Sequence, residues 1–103
     1  MKNLNKFKAK IFKALSDPVR LKILEFLRNG EKCVCEIVPY VGIAQPLVSR
    51  HLAILKRFGL VMDRREGNKH FYSVTNPAIF KVIDTVDVSF VDALVKHVVE
   101  QIM

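Results

Sequence analysis

Cys33 and Cys35 are the only cysteines of the 103-residue chain, and one residue separates them in the run EKCVCEI. Thiolates are soft ligands and good nucleophiles, so a pair at this spacing has three chemistries open to it. It can pack as two small apolar fillers, close a disulfide, or grip a soft ion. A structural disulfide ranks last, because it closes almost no loop and a reducing cytosol opposes it. An ion site requires the sulfurs to converge. Residues two apart on an α-helix point about 200° away from each other, whereas on an extended segment they share a side. Pro39 bears on that choice: it has no N–H for the Cys35 carbonyl four residues back, and its ring crowds the same carbonyl. A helix is therefore expected to start around Cys35 or Glu36 and not to run intact through the cysteines. Lys32 and a nearby helix N-terminus favour the thiolate form. Arsenite, antimonite, cadmium and lead are the guests such sulfurs suit. Two sulfurs do not complete a site, so a further ligand must come from solvent, a small thiol, a second chain or another residue type.

The surrounding elements are read from periodicity and breakers. The start, MKNLNKFKAKIFKAL, places Leu4, Phe7, Ile11 and Leu15 at helical steps among lysines. Ser16-Asp17-Pro18 caps a second helix, on which Val19, Ile23, Leu24 and Leu27 recur until Asn29-Gly30 stops the run. A short apolar stretch from about Cys35 to Val41 breaks at Gly42, and a third run with Val48, Leu52 and Leu55 on one side closes at Phe58-Gly59. Two helices about a tight glycine turn have the layout of a helix-turn-helix. LVMDRR and HFYSV then flank Glu66-Gly67-Asn68-Lys69 as a hairpin with a basic tip. Asn76-Pro77 caps a last helical stretch with a bend near Asp87-Val88-Ser89. The expected fold is mostly α with a small β-hairpin, a winged helix-turn-helix forming one domain over residues 1–103.

Lysine and arginine total 17 against 10 acids, a formal +7 that favours polyanionic partners, nucleic acid first. The chain has no continuous apolar stretch of the kind a signal peptide or membrane span needs, so a cytoplasmic protein with no membrane partner is expected. With Val48, Leu52 and Leu55 inward, the segment AQPLVSRHLAILKRFG leaves Gln45, Ser49, Arg50, Ala53 and Lys56 outward. Gln pairs with adenine and Arg with guanine at the major-groove edge, while Ser49 and Lys56 suit phosphates. Arg64, Arg65 and Lys69 surround a wing tip able to reach a flanking groove or backbone. Each of these residues also has an ordinary reading as solvated surface charge. Between Ile79 and Ile102 the apolar residues cover more than one stripe, so something else must cover the remainder. A two-fold dimer through the terminal helices is the economical proposal, since it presents two reading helices to a palindromic operator.

These residues carry a likeness. The run Asp17-Pro18-Val19-Arg20-Leu21-Lys22-Ile23-Leu24, then Cys33-Val34-Cys35-Glu36, Gln45-Pro46-Leu47-Val48-Ser49-Arg50-His51-Leu52, Arg64-Arg65-Glu66-Gly67 and Tyr72 resembles the ArsR/SmtB family of metal- and metalloid-responsive repressors. The C-V-C pair resembles the inducer site of its arsenite and cadmium/lead branch. The resemblance implies a homodimer on double-stranded operator DNA, with no obligatory cofactor, that lets go when As(III), Sb(III) or a soft divalent metal binds Cys33 and Cys35. It places Gln45, Leu47, Ser49, Arg50 and His51 in or beside the recognition helix. For His51, next to the inner stripe, a structural hydrogen bond competes with a base contact. A third cysteine of one branch is replaced by Val38. Asp84, His97 and Glu100 match three of four positions of a zinc-type site in other members, with Val86 where histidine is usual, and ordinary surface charge is the competing reading.

No catalytic constellation is visible in the chain, and a non-enzyme is expected. Two rivals keep or replace the DNA. A redox- or persulfide-sensing repressor would use the same thiols, and a thiol oxidoreductase would need a βαβ context that the pattern does not supply.

Overall fold

A computed structural model describes residues 1–103. The helices are α1 (Leu4–Leu15), α2 (Pro18–Phe26), α3 (Val34–Val41), α4 (Gln45–Arg57), α5 (Ile79–Thr85) and α6 (Val88–Ile102). The strands are β1 (Lys32–Cys33), β2 (Val61–Glu66) and β3 (Lys69–Val74), in the order β1-β3-β2. Local chemistry sets the boundaries. Asp17 Oδ1 accepts the N–H groups of Val19 at 2.8 Å and Arg20 at 3.3 Å, and Pro18 occupies the first helical position, where its missing N–H costs nothing. Gly42 ends α3 in the left-handed region at φ 80°, and its N–H reaches the Val38 carbonyl at 2.9 Å. A side chain there would be strained, which is why glycine makes the tight turn into α4.

The core is one cluster of buried side chains in which α2, α3, α4 and the sheet meet. Ile23, Leu24, Ile37, Val48, Leu52 and Leu55 are fully enclosed. The α4 stripe of Val48, Leu52 and Leu55 is thus the inward face that helical spacing requires. The hairpin pairs Glu66 with Lys69 at its tip and Val61 with Val74 at its base. Its β-branched and aromatic residues suit a half-buried pleated surface.

The sheet has a strand that periodicity does not announce. β1 is two residues long and pairs Lys32 with Tyr72 and Cys33 with Phe71. Cys33 is therefore held extended, at φ −71° and ψ 146°, by the central strand. The helix starts at Val34, one residue earlier than expected, and Pro39 lies inside it. The correction is physical: strand pairing, not the proline alone, keeps Cys33 out of the helix.

At the far end, the bend falls at Val86–Asp87, and Asp87 caps α6 by accepting the Phe90 N–H at 2.8 Å. None of the residues of α6 is buried, and Phe90, Leu94, Val95, Val98 and Val99 stand exposed. On α1, Leu4, Phe7 and Phe12 are likewise exposed. No helix is long and apolar enough to cross a membrane.

Candidate DNA-reading and thiol site

A cleft of about 700 Å³ lies between the start of α3, the first turns of α4 and the tip of the wing. Cys33 and Cys35 line one wall, Gln45 and Ser49 another, and Arg65, Asn68 and Lys69 a third. Gln45 and Ser49 are four apart and so share one helical face. Pro46 sits in the first turn of α4, where its missing N–H breaks no bond within the helix. The thiols and part of the expected reading surface therefore share one space.

The sequence reading ranks a disulfide last, whereas the structure joins Cys33 and Cys35 with their Cα atoms 5.0 Å apart. The pairing with β3 explains the convergence, because Cys33 is extended while Cys35 lies in the first helical turn. The bond closes almost no loop and so restrains the unfolded chain little. Cys33 also acts as the helix cap: its Sγ accepts the Cys35 N–H at 3.1 Å, and Glu36 Oε1 accepts the Cys33 N–H at 3.1 Å. That reciprocal arrangement is a capping box built on sulfur. The two cysteines differ in access, with Cys33 only 4% exposed and Cys35 open to solvent.

The other expected site residues divide sharply. Arg50, Leu47, Arg65 and Lys69 are exposed, and neither Arg50, Arg65 nor Lys69 forms an ion pair. Arg64 is instead occupied within the chain: Glu31 accepts from Nη2 at 2.6 Å and from Nε at 2.8 Å, and Glu66 accepts from Nη1 at 2.8 Å. Lys56 turns to the wing and meets Asp63 at 2.9 Å. His51 packs against α2, with Nδ1 3.2 Å from Arg20 Nη1. A guanidinium only donates, so Nδ1 accepts and the neutral ring carries its proton on Nε2. Arg20 is anchored in turn by the Ala14 carbonyl at 2.6 Å. His51 thus braces α4 on α2, the structural alternative that its place beside the inner stripe allowed.

Asp63 joins α4 to both wing strands, since His70 Nε2 on β3 also donates to it at 2.6 Å. Neither spacing nor charge in the sequence singles out this carboxylate. The Lys56 ammonium first, and then the His70 ring, hold its carboxyl below the ordinary range. Because the folded group ionises at lower pH than the unfolded one, its contribution is full above the unfolded value of about 3.9 and is lost as pH falls through the folded value. Asp63→Asn is therefore expected to lower the melting temperature at neutral pH by a deficit that shrinks below about pH 4. Thermal melts across that range check it, and a pH-independent deficit would contradict it.

The weaker candidate set on the C-terminal helices does not assemble within one chain. Asp84 is held by Arg28 through two hydrogen bonds of 2.8 and 2.9 Å, and His97 Nε2 lies 3.0 Å from Gln101. No three His, Cys, Asp or Glu side chains cluster so as to hold a metal ion.

A helix-turn-helix followed by an outward basic wing, with exposed polar side chains on α4, has the layout of a winged helix-turn-helix DNA-binding regulator. Residues 17–63 match the bacterial regulatory protein, arsR family. The HTH-type transcriptional regulator MJ1325 of Methanocaldococcus jannaschii is 45% identical over 80 residues, 77% of this chain and 90% of that protein. An arsenical resistance operon repressor of Staphylococcus xylosus is 37% identical over 78 residues, 76% of this chain and 75% of the repressor. Among solved structures, the homodimeric winged helix-turn-helix domain Mb0332 of Mycobacterium bovis superposes with a TM-score of 0.75 at 32% identity, covering 91% of this chain and 86% of that one. The chain belongs to the ArsR family, whose members are DNA-binding transcriptional regulators and not enzymes.

Proposed function

We propose that this protein is a homodimeric, cytoplasmic repressor that releases operator DNA when a thiophilic metalloid or metal bridges Cys33 and Cys35. The observation that carries the reading is the shared cleft: Cys33 and Cys35 line the same space as Gln45, Ser49, Arg65 and Lys69. In the reduced state two thiolates at this position are ready-made soft ligands for arsenite, antimonite, cadmium or lead. The cleft opens to solvent, which leaves room for the further ligand that two sulfurs need. A bound ion also pulls on the cap of α3, which packs against α4 through the Gly42 turn. The exposed apolar faces of α1 and α6 offer a surface for a second copy, and the homodimeric state of the M. bovis relative supports pairing of two chains. The S. xylosus relative, an arsenical resistance operon repressor, supports the choice of metalloid.

The test is one titration of reduced protein with arsenite, following thiolate-to-metal absorbance and operator affinity on the same sample. Operator affinity is expected to fall at least about tenfold as one equivalent binds, the scale of a coupling of roughly 1–3 kcal/mol. Cys35→Ser should lose both signals together. Operator affinity unmoved by arsenite, antimonite and cadmium alike would end the reading.

The disulfide favours a second reading, in which oxidation of the same pair releases DNA. Release by diamide but not by arsenite would select it.

A further inference from the structure

We propose that Cys35 is a modification site for an anionic low-molecular-weight thiol of the tripeptide kind, carried as a mixed disulfide in the cleft. The inference rests on reading Cys33 and Cys35 as a responsive pair, and names a reaction partner that soft-ion binding does not require.

Three observations support it. The disulfide is polarised by access, with Cys35 open to solvent and Cys33 4% exposed. It is polarised again by hydrogen bonding, because Cys33 Sγ already accepts the Cys35 N–H at the start of α3. A thiolate released on Cys33 is thus received by a backbone donor and a helix N-terminus, which makes Cys33 the better leaving sulfur. The third observation is the charge of the space in front of Cys35. The cleft walls carry Arg65 and Lys69, both without ion-pair partners, and no carboxylate. Glu36, the acid nearest in sequence, is turned to the Cys33 N–H and does not line the cleft. A volume of about 700 Å³ accommodates a ligand of tripeptide size.

The step balances without an added oxidant. The small thiol loses its proton to solvent, and its thiolate attacks Cys35 Sγ. The Cys33–Cys35 bond breaks, its electron pair leaves on Cys33 Sγ, and one new disulfide forms between Cys35 and the small thiol. One disulfide is consumed and one is made. The carboxylates of the adduct lie against Arg65 and Lys69, and its body fills the space beside Gln45 and Ser49.

The test uses the oxidised full chain with glutathione as the anionic probe and cysteamine as a cationic one, quenched in acid and read by intact mass and peptide mapping. Each rate is divided by that of the same thiol with a small uncharged disulfide in solution. The expected result is an adduct on Cys35, with glutathione favoured about tenfold by charge steering. That preference should collapse in Arg65→Gln/Lys69→Gln, and in the unaltered chain it should fade as salt is raised. Equal normalised rates for the two thiols, or an adduct on Cys33, would overturn the proposal. Arsenite titration of the reduced chain, scored apart from these rates, separates failure of the ion reading from failure of the thiol reading.

Discussion

Arg50→Ala is expected to weaken binding to a selected operator by at least about thirtyfold, since a bidentate base contact contributes roughly 1–3 kcal/mol and a dimer loses one at each of its two half-sites. The reason lies in how the chain distributes its cations. Arg64 and Lys56 are held by carboxylates, and Arg20 is anchored to the end of α1 and to His51. Arg50 stands exposed on α4 with no ion pair, so its donors are free for a base edge. Arg64→Ala serves as the contrast and should change affinity by less than about threefold, since its charge is already spent on Glu31 and Glu66. Fluorescence anisotropy at fixed salt, on a duplex recovered from random-sequence selection, compares the two. If both substitutions cost the same, the distinction between free and engaged arginines carries no meaning for this surface.

The second large effect concerns stability. Leu52→Ala removes a side chain with no exposure from α4, the helix that also carries Gln45, Ser49 and Arg50. Val48 and Leu55 flank it on the same stripe and are equally enclosed, so the site has little freedom to collapse. A truncation of this kind costs about 2–5 kcal/mol, a large share of the roughly 5–15 kcal/mol that holds a small domain together. The melting temperature should fall by about 10 °C or more. A shift of only one or two degrees in a thermal melt would mean that α4 is not seated by this stripe.

Much of this architecture is legible in the residue order, and the exceptions have a common cause. Asp17-Pro18, Gly42 and the Gly67-Asn68 tip announce their elements through local backbone chemistry, and the bend before α6 follows from the Asp87 cap. The inward stripe of α4 follows from spacing alone. β1 escapes because two residues have no period, and only its partner β3, far along the chain, makes it a strand. The convergence of the cysteines accordingly owes more to Phe71 across the sheet than to Pro39 along the helix. Side-chain partnerships escape for the same reason. Nothing in the local sequence of Arg64 reveals that Glu31 will be within 2.6 Å, or that Asp63 will sit between Lys56 and His70. Spacing shows which faces are outward, and tertiary contacts determine which outward charges remain available.

Helix α6 is the element that the rest of the chain does least to support. A segment of 15 residues is near the length at which a solitary helix in water is marginal, and its oily flank finds no shelter within its own molecule. Whatever settles on that flank therefore also completes the winding of the helix, so that assembly and the last stage of folding become one event. Scarcity of the chain then acts on it much as mild heat would.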